Sequence, residues 1–305
     1  MTARPGSLAV FAAASLACAS PAGPGGGGGA GARLAVAVTI PPQAWLVEAV
    51  GGERVEVSTL VAPGQSAETY QPTDAEVSRA LAARIYFRIG APAEQGGWFR
   101  ALERSGRARV VDLREGVEPL PAVAAANAHR HDHGGEHGEA GGPRGDPHVW
   151  LSPRRLAAQA RSVAAALAEA DPAGRAVYAE RLARIEAVLA ELDRDLAARL
   201  APFAGRDFLV FHPSWEYFAA DYALRQVAIE REGKEPTDAE LTRVLRRARE
   251  HGARVIFVQP QIPGRSAAAV ARAVGARVET LDPLAADVPA NLRAVAERLA
   301  RSFAA

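Results

Sequence analysis

The sequence predicts an α/β fold of two lobes, each a four-stranded parallel sheet with helices on both faces, joined by one long rigid helix. Three observations carry this expectation. Short β-like runs alternate with helical stretches in two separate blocks, the pattern of parallel sheets. One unbroken apolar stripe at helical spacing lies between the blocks. And 305 residues are more than one core usually holds.

In the first block the expected strands are Leu34–Ile40, Val55–Val61, Arg84–Ile89 and Arg109–Leu113. Helices are expected from Gln43 to about Val50, from Thr73 to Ala82 and around Trp98–Arg104. Residues 114–147 break the pattern with Pro, Gly and His, and a loop of that length is functional or disordered. Helices resume at Ser152, a good N-cap followed by Pro153 in the first turn, and the first runs to about Ala170. Asp171-Pro172 starts the next, whose stripe is Tyr178, Leu182, Ile185, Leu189, Leu192, Leu196 and Leu200. At 1.5 Å per residue it would be about 40 Å long. In the second block the strands are Phe208–Phe211, Arg225–Glu230, Arg254–Gln259 and Arg277–Leu281. Their helices are Ser214–Tyr222, Thr237–His251, Gly264–Val274 and Pro289–Phe303. The expected division is thus a first lobe over 33–170, a linking helix over 171–201 and a second lobe over 202–305.

The N-terminus reads differently. Arg4 precedes an apolar run from Leu8 to Ala19, too short for a mature membrane span but suited to a signal peptide over 1–18. Ser15-Leu16-Ala17-Cys18 resembles a lipoprotein signal with Cys18 as the acylated residue, and residues 19–32 form a Gly/Pro-rich tether. Export follows with or without the lipid. Cys18 is the only cysteine, which rules out a disulfide framework and a Cys-rich metal site. A net charge of +1 gives no general attraction to nucleic acid or anionic membranes.

Ligands of open α/β sheets bind at the carboxyl ends of strands. Just past the second strand stands Glu68, in "PGQSAETYQPT". Past the fourth strand and its long loop stands His148, in "GDPHVWLSP". His212 follows the strand Phe208–Phe211 directly, and Asp282 follows Arg277–Leu281 directly. Each block contributes two, so the four would face one another across a cleft between the lobes. Two imidazoles and two carboxylates suit a divalent transition metal, and the carboxylates would balance its charge. Any one of the four alone would mark only a turn or a structural side chain. Seven histidines in all make the coincidence informative. Four others, His129, His131, His133 and His137, crowd the loop 127–145 and suggest low-affinity metal collection. His251 sits at a helix end beside Gly252 and reads as structural.

"PGQSAETYQPT", "DPHVWLSP", "FHPSWEYFA" and "LDPLA", in this order, resemble the metal-binding solute-binding proteins of bacterial zinc and manganese ABC importers (cluster A-I). "EGKEPTDAEL" and "VIFVQPQIP" fit the same family, and the resemblance runs from about residue 33 to the end. It implies two α/β lobes on a rigid helix, with the metal between them. It implies ligands at His148, His212 and Asp282, one for each matching motif. The family's first ligand is usually a His after Pro; here Glu68 and Ala67 stand in those places. Either Glu68 replaces the imidazole as an oxygen ligand, or three residues leave the site open to water. The reach and charge of Glu favour the first account. His at position 212 and the His-rich loop favour Zn2+ over Mn2+ or Fe2+. The implied partners are an inner-membrane ABC permease with its cytoplasmic ATPase, the protein itself being a monomer in the periplasm or on the outer face of the membrane. Some relatives also serve as adhesins. The competing class is an exported zinc-dependent hydrolase, which needs an open metal position and a general base. No HExxH motif occurs, and no GxxxxGK[ST] occurs either, so the expectation is binding and delivery, not catalysis.

Overall fold

The computed structural model describes residues 33–117, 120, 146–229, 254–261 and 275–304, with Met1 and a few single positions of the second lobe. The expected signal peptide, Cys18, the tether, the His-rich loop and His251 lie outside the described residues. The expected helices Thr237–His251 and Gly264–Val274 lie mostly outside them.

The first sheet holds β1 (Leu34–Val38), β2 (Val55–Thr59), β3 (Ile85–Arg88) and β4 (Arg109–Asp112), in the order β2-β1-β3-β4. The second holds β5 (Asp207–Val210), β6 (Arg225–Ala228), β7 (Val255–Val258) and β8 (Arg277–Thr280), in the order β6-β5-β7-β8. All pairings are parallel. Each sheet therefore repeats one topology, and its first strand lies inside. Inner strands are buried on both faces, so they read as continuous apolar runs. Val36, Ala37, Val38, Ile85, Tyr86 and Phe87 are all buried, as are Phe208, Leu209, Val210, Val255, Ile256 and Phe257. In the four outer strands only Val55 is buried. The strands stop a residue or two before the apolar runs do: Leu60 and Val61 still donate to Val38 and Thr39, but the chain is already turning.

The helices are α1 (Pro41–Gly51), α2 (Asp74–Ala82), α3 (Gly97–Ser105), α4 (Pro153–Ala170), α5 (Arg175–Leu200), α6 (Glu216–Asp221) and α7 (Val288–Ala304). Thr73 caps α2: its hydroxyl accepts from the Glu76 N–H while the Glu76 carboxylate accepts from the Thr73 N–H. Ser152 caps α4 by accepting from the Arg155 N–H at 3.2 Å. The 26 residues of α5 bury Tyr178, Ile185, Leu189, Leu192, Leu196 and Leu200. That stripe packs on α1 and α4 on one side and on α7 on the other, so α5 joins the lobes. No helix among the described residues is long and apolar enough to cross a membrane.

A polar network closes the first lobe beneath the cleft. Glu94 is buried and accepts from the N–H groups of Ile89 (2.8 Å) and Gly90 (2.7 Å) and from the Thr39 hydroxyl. Gly90 has φ +78°, and a Cβ there would run into the Arg114 guanidinium. Arg114 in turn grips Asp112 at 3.0 and 2.6 Å. Burial alone would raise the Asp112 carboxyl, but Arg114 and the nearby Arg88 outweigh it and hold the group below its ordinary value. A depressed carboxyl stabilises the fold above its unfolded pKa, about 3.9. That contribution is lost as pH falls through the folded value. Melting curves should therefore show Asp112→Asn less stable than wild type at neutral pH, with the difference closing on acidification below about pH 4. A constant difference down to the lowest pH would contradict this.

Candidate metal centre

Three of the four expected site residues converge. Glu68 Oε1 lies 3.6 Å from His212 Nε2 and 4.0 Å from His148 Nε2. One ligand atom from each of Glu68, His148 and His212 lies within 4.8 Å of the others. The two imidazole centroids are 5.5 Å apart, with planes at 73°. Bonds of 2.0–2.1 Å to a tetrahedral ion place donors about 3.3 Å apart. Side-chain adjustments of about an ångström close the group to that spacing.

Each residue is delivered by local chain chemistry. Glu68 rides the loop that follows β2. That loop is fastened where Ala67 O accepts from Ala93 N at 3.2 Å and where Tyr70 N donates to Ser66 O at 3.0 Å. Ala93 belongs to the turn that Glu94 organises, so the buried network supports the loop from below. His148 precedes a single turn of 3-10 helix, Val149–Leu151, which leads into the cap of α4. His212 lies one residue past the pairing of Phe211 N with Phe257 O. Both histidines are 8% exposed.

Asp282 lies outside the converged group. Its Oδ1 accepts from Gln261 Nε2 at 2.7 Å and from Leu284 N at 2.9 Å. Its neighbours Pro283, Leu284 and Gln261 nevertheless line the same cleft, a space of about 350 Å³ with its open mouth included. Glu68, His148 and His212 line the same space.

The electrostatics favour a cation. Burial by itself would raise the Glu68 carboxyl. The close approach of His212 and the neighbouring His148 outweigh that, so Glu68 titrates below its ordinary value. One carboxylate and two imidazoles form a donor set for a divalent transition metal.

Three residues linked to these histidine segments escaped the sequence reading. Asp146 Oδ1 sits 2.5 Å from His148 Nδ1. Trp150 stacks near His148, centroids 5.1 Å apart, and its Nε1 donates to Pro283 O at 2.7 Å. Asp221, at the end of α6, accepts from Arg155 at 2.7 Å and from the Ser152 hydroxyl. Asp146 alone left a local signal, since an Asp before Pro commonly bonds the N–H two residues on.

Two lobes of parallel sheet on one long helix, with a His/His/carboxylate cluster in the cleft, define an extracytoplasmic metal-binding solute-binding protein. The model of the family "Zinc-uptake complex component A periplasmic" (ZnuA) matches residues 36–301, and the chain belongs to that family. A crystal structure titled as that of ZnuA is 38% identical, with TM-score 0.76 over 88% of this chain and 99% of the other. A deletion mutant of ZnuA with zinc bound is also 38% identical, with TM-score 0.75 over 88% of this chain and 98% of the other. A protein of Chlamydia trachomatis serovar D, which bears a provisional metal-binding name, is 26% identical over 87% of this chain and 90% of its own length.

Proposed function

We propose that this protein binds Zn2+ outside the cytoplasm and delivers it to an ABC importer, with Glu68, His148 and His212 holding the ion. The convergence of these three donors in the cleft carries the reading. Family membership and a relative solved with zinc support it. Asp282 serves as a fourth donor once its carboxylate swings away from Gln261, giving a set of two nitrogens and two oxygens. The partners are a membrane permease and its ATPase, which family membership supports; the chain itself carries no GxxxxGK[ST] motif. Anchoring through Cys18 keeps the protein at the outer face of the membrane.

The test is metal analysis of the purified protein, followed by competitive titration with Zn2+ and Mn2+. One tightly held ion per chain and a preference for Zn2+ are expected. A preference for Mn2+ would overturn the assignment of cargo. Deleting 127–145 should remove additional weak sites and leave the tight one intact. Loss of the tight site would show that His129, His131, His133 and His137 do more than collect metal.

A further inference from the structure

We propose that Asp146 is a positioning residue of this centre, which fixes the tautomer of His148 and aims its Nε2 lone pair at the ion. The inference rests on His148 being a ligand, as argued above.

Asp146 Oδ1 accepts from the His148 backbone N–H at 2.9 Å and faces His148 Nδ1 at 2.5 Å. A carboxylate only accepts, so the proton of the neutral ring belongs on Nδ1. The lone pair is then on Nε2, the nitrogen that faces Glu68 Oε1 at 4.0 Å. The other tautomer would present an N–H to the cation and could not bind it. Asp146 is well placed to prevent that. Its side chain is only 10% exposed, and Pro147 restrains the backbone between it and His148. The backbone bond holds the same Oδ1 that faces the ring. On its other flank the ring meets Trp150, which is itself fixed to Pro283 O. The imidazole is therefore oriented from two sides. Asp146 also brings a second negative charge within one ring of the ion. Its charge reaches Glu216 and Tyr217 of the second lobe, adding to the burial that raises both groups. A carboxylate behind a metal-bound imidazole raises ligand basicity, and its loss typically weakens metal binding 10- to 100-fold.

The experiment compares wild type, Asp146→Ala, Asp146→Asn and His148→Ala. Zinc affinity is read by competition with a chelator. The His148 tautomer is read from ring-nitrogen NMR shifts of the metal-free proteins. In Asp146→Ala, affinity should fall about 10- to 100-fold and the single Nδ1–H tautomer should give way to a mixture. Asp146→Asn keeps an acceptor oxygen and removes the charge, so it should keep the tautomer and lie between. In Asp146→Ala, wild-type affinity would overturn the proposal, and so would weakened binding with the tautomer unchanged. Wild-type affinity in His148→Ala would instead overturn the ligand assignment beneath it.

Discussion

Replacing Glu68 with alanine is expected to weaken zinc binding about tenfold or more, at least as much as the loss of an orienting partner does. Glu68 is the one anionic donor of the converged group among the described residues. Its carboxyl is held below its ordinary value because its two histidine neighbours outweigh burial. Alanine would leave two imidazoles facing a dication with no negative charge at bonding distance. Glu68→Gln keeps an oxygen donor without the charge and should fall between. The fold should tolerate both changes, since the side chain is a quarter exposed and the loop is fastened through backbone atoms. Chelator competition reads the affinity, and an unchanged value would remove Glu68 from the ligand set.

The second large effect is on stability. Asp221→Ala should destabilise the protein by about 3–5 kcal/mol, the usual cost of stranding one member of a buried ion pair. Asp221 is 6% exposed and Arg155 is 15% exposed at the side chain. Arg155 bonds Asp221 at 2.7 Å and stacks 4.5 Å over the Tyr217 ring. The pair joins the first turn of α4, which follows His148, to the end of α6, which follows His212. It thus ties together the segments that present the two histidines. For a chain of this size, each kcal/mol lowers the melting temperature by roughly 2–4 °C, so a fall on the order of 10 °C is expected. Pairing Asp221→Leu with Arg155→Met should recover much of it, because two apolar groups leave no buried charge. A fall of a degree or less in Asp221→Ala would show the pair to be solvent-screened.

Much of this was legible in the sequence because the features are local. Alternating apolar runs and helical periodicity marked all eight strands and the linking helix. Ser152 announced its cap by residue type alone, while Thr73, read as the first residue of its helix, is the cap just before it. Glu68, His148 and His212 were singled out by one rule, that ligands gather past strand ends, and the fold brings them within reach of one another. What stayed hidden depends on long-range packing. Nothing near Asp282 in the chain shows that Gln261 takes hold of its carboxylate. The Arg155–Asp221 pair spans 66 positions, and the Trp150–Pro283 bond spans 133. Such pairings are set by how the lobes meet on α5, which residue patterns do not encode. Strand ends were overestimated because Leu60, Val61 and Ile89 stay buried past the last strand residue, so the apolar run outlasts the strand.

A crystal structure of the zinc-loaded protein, with the ion located by anomalous scattering at the zinc edge, tests the central claim most directly. The ion should lie in the cleft with His148 Nε2, His212 Nε2 and a Glu68 oxygen at about 2.0–2.2 Å. An ion bound elsewhere, or one in the cleft with Glu68 outside bonding distance, would contradict it.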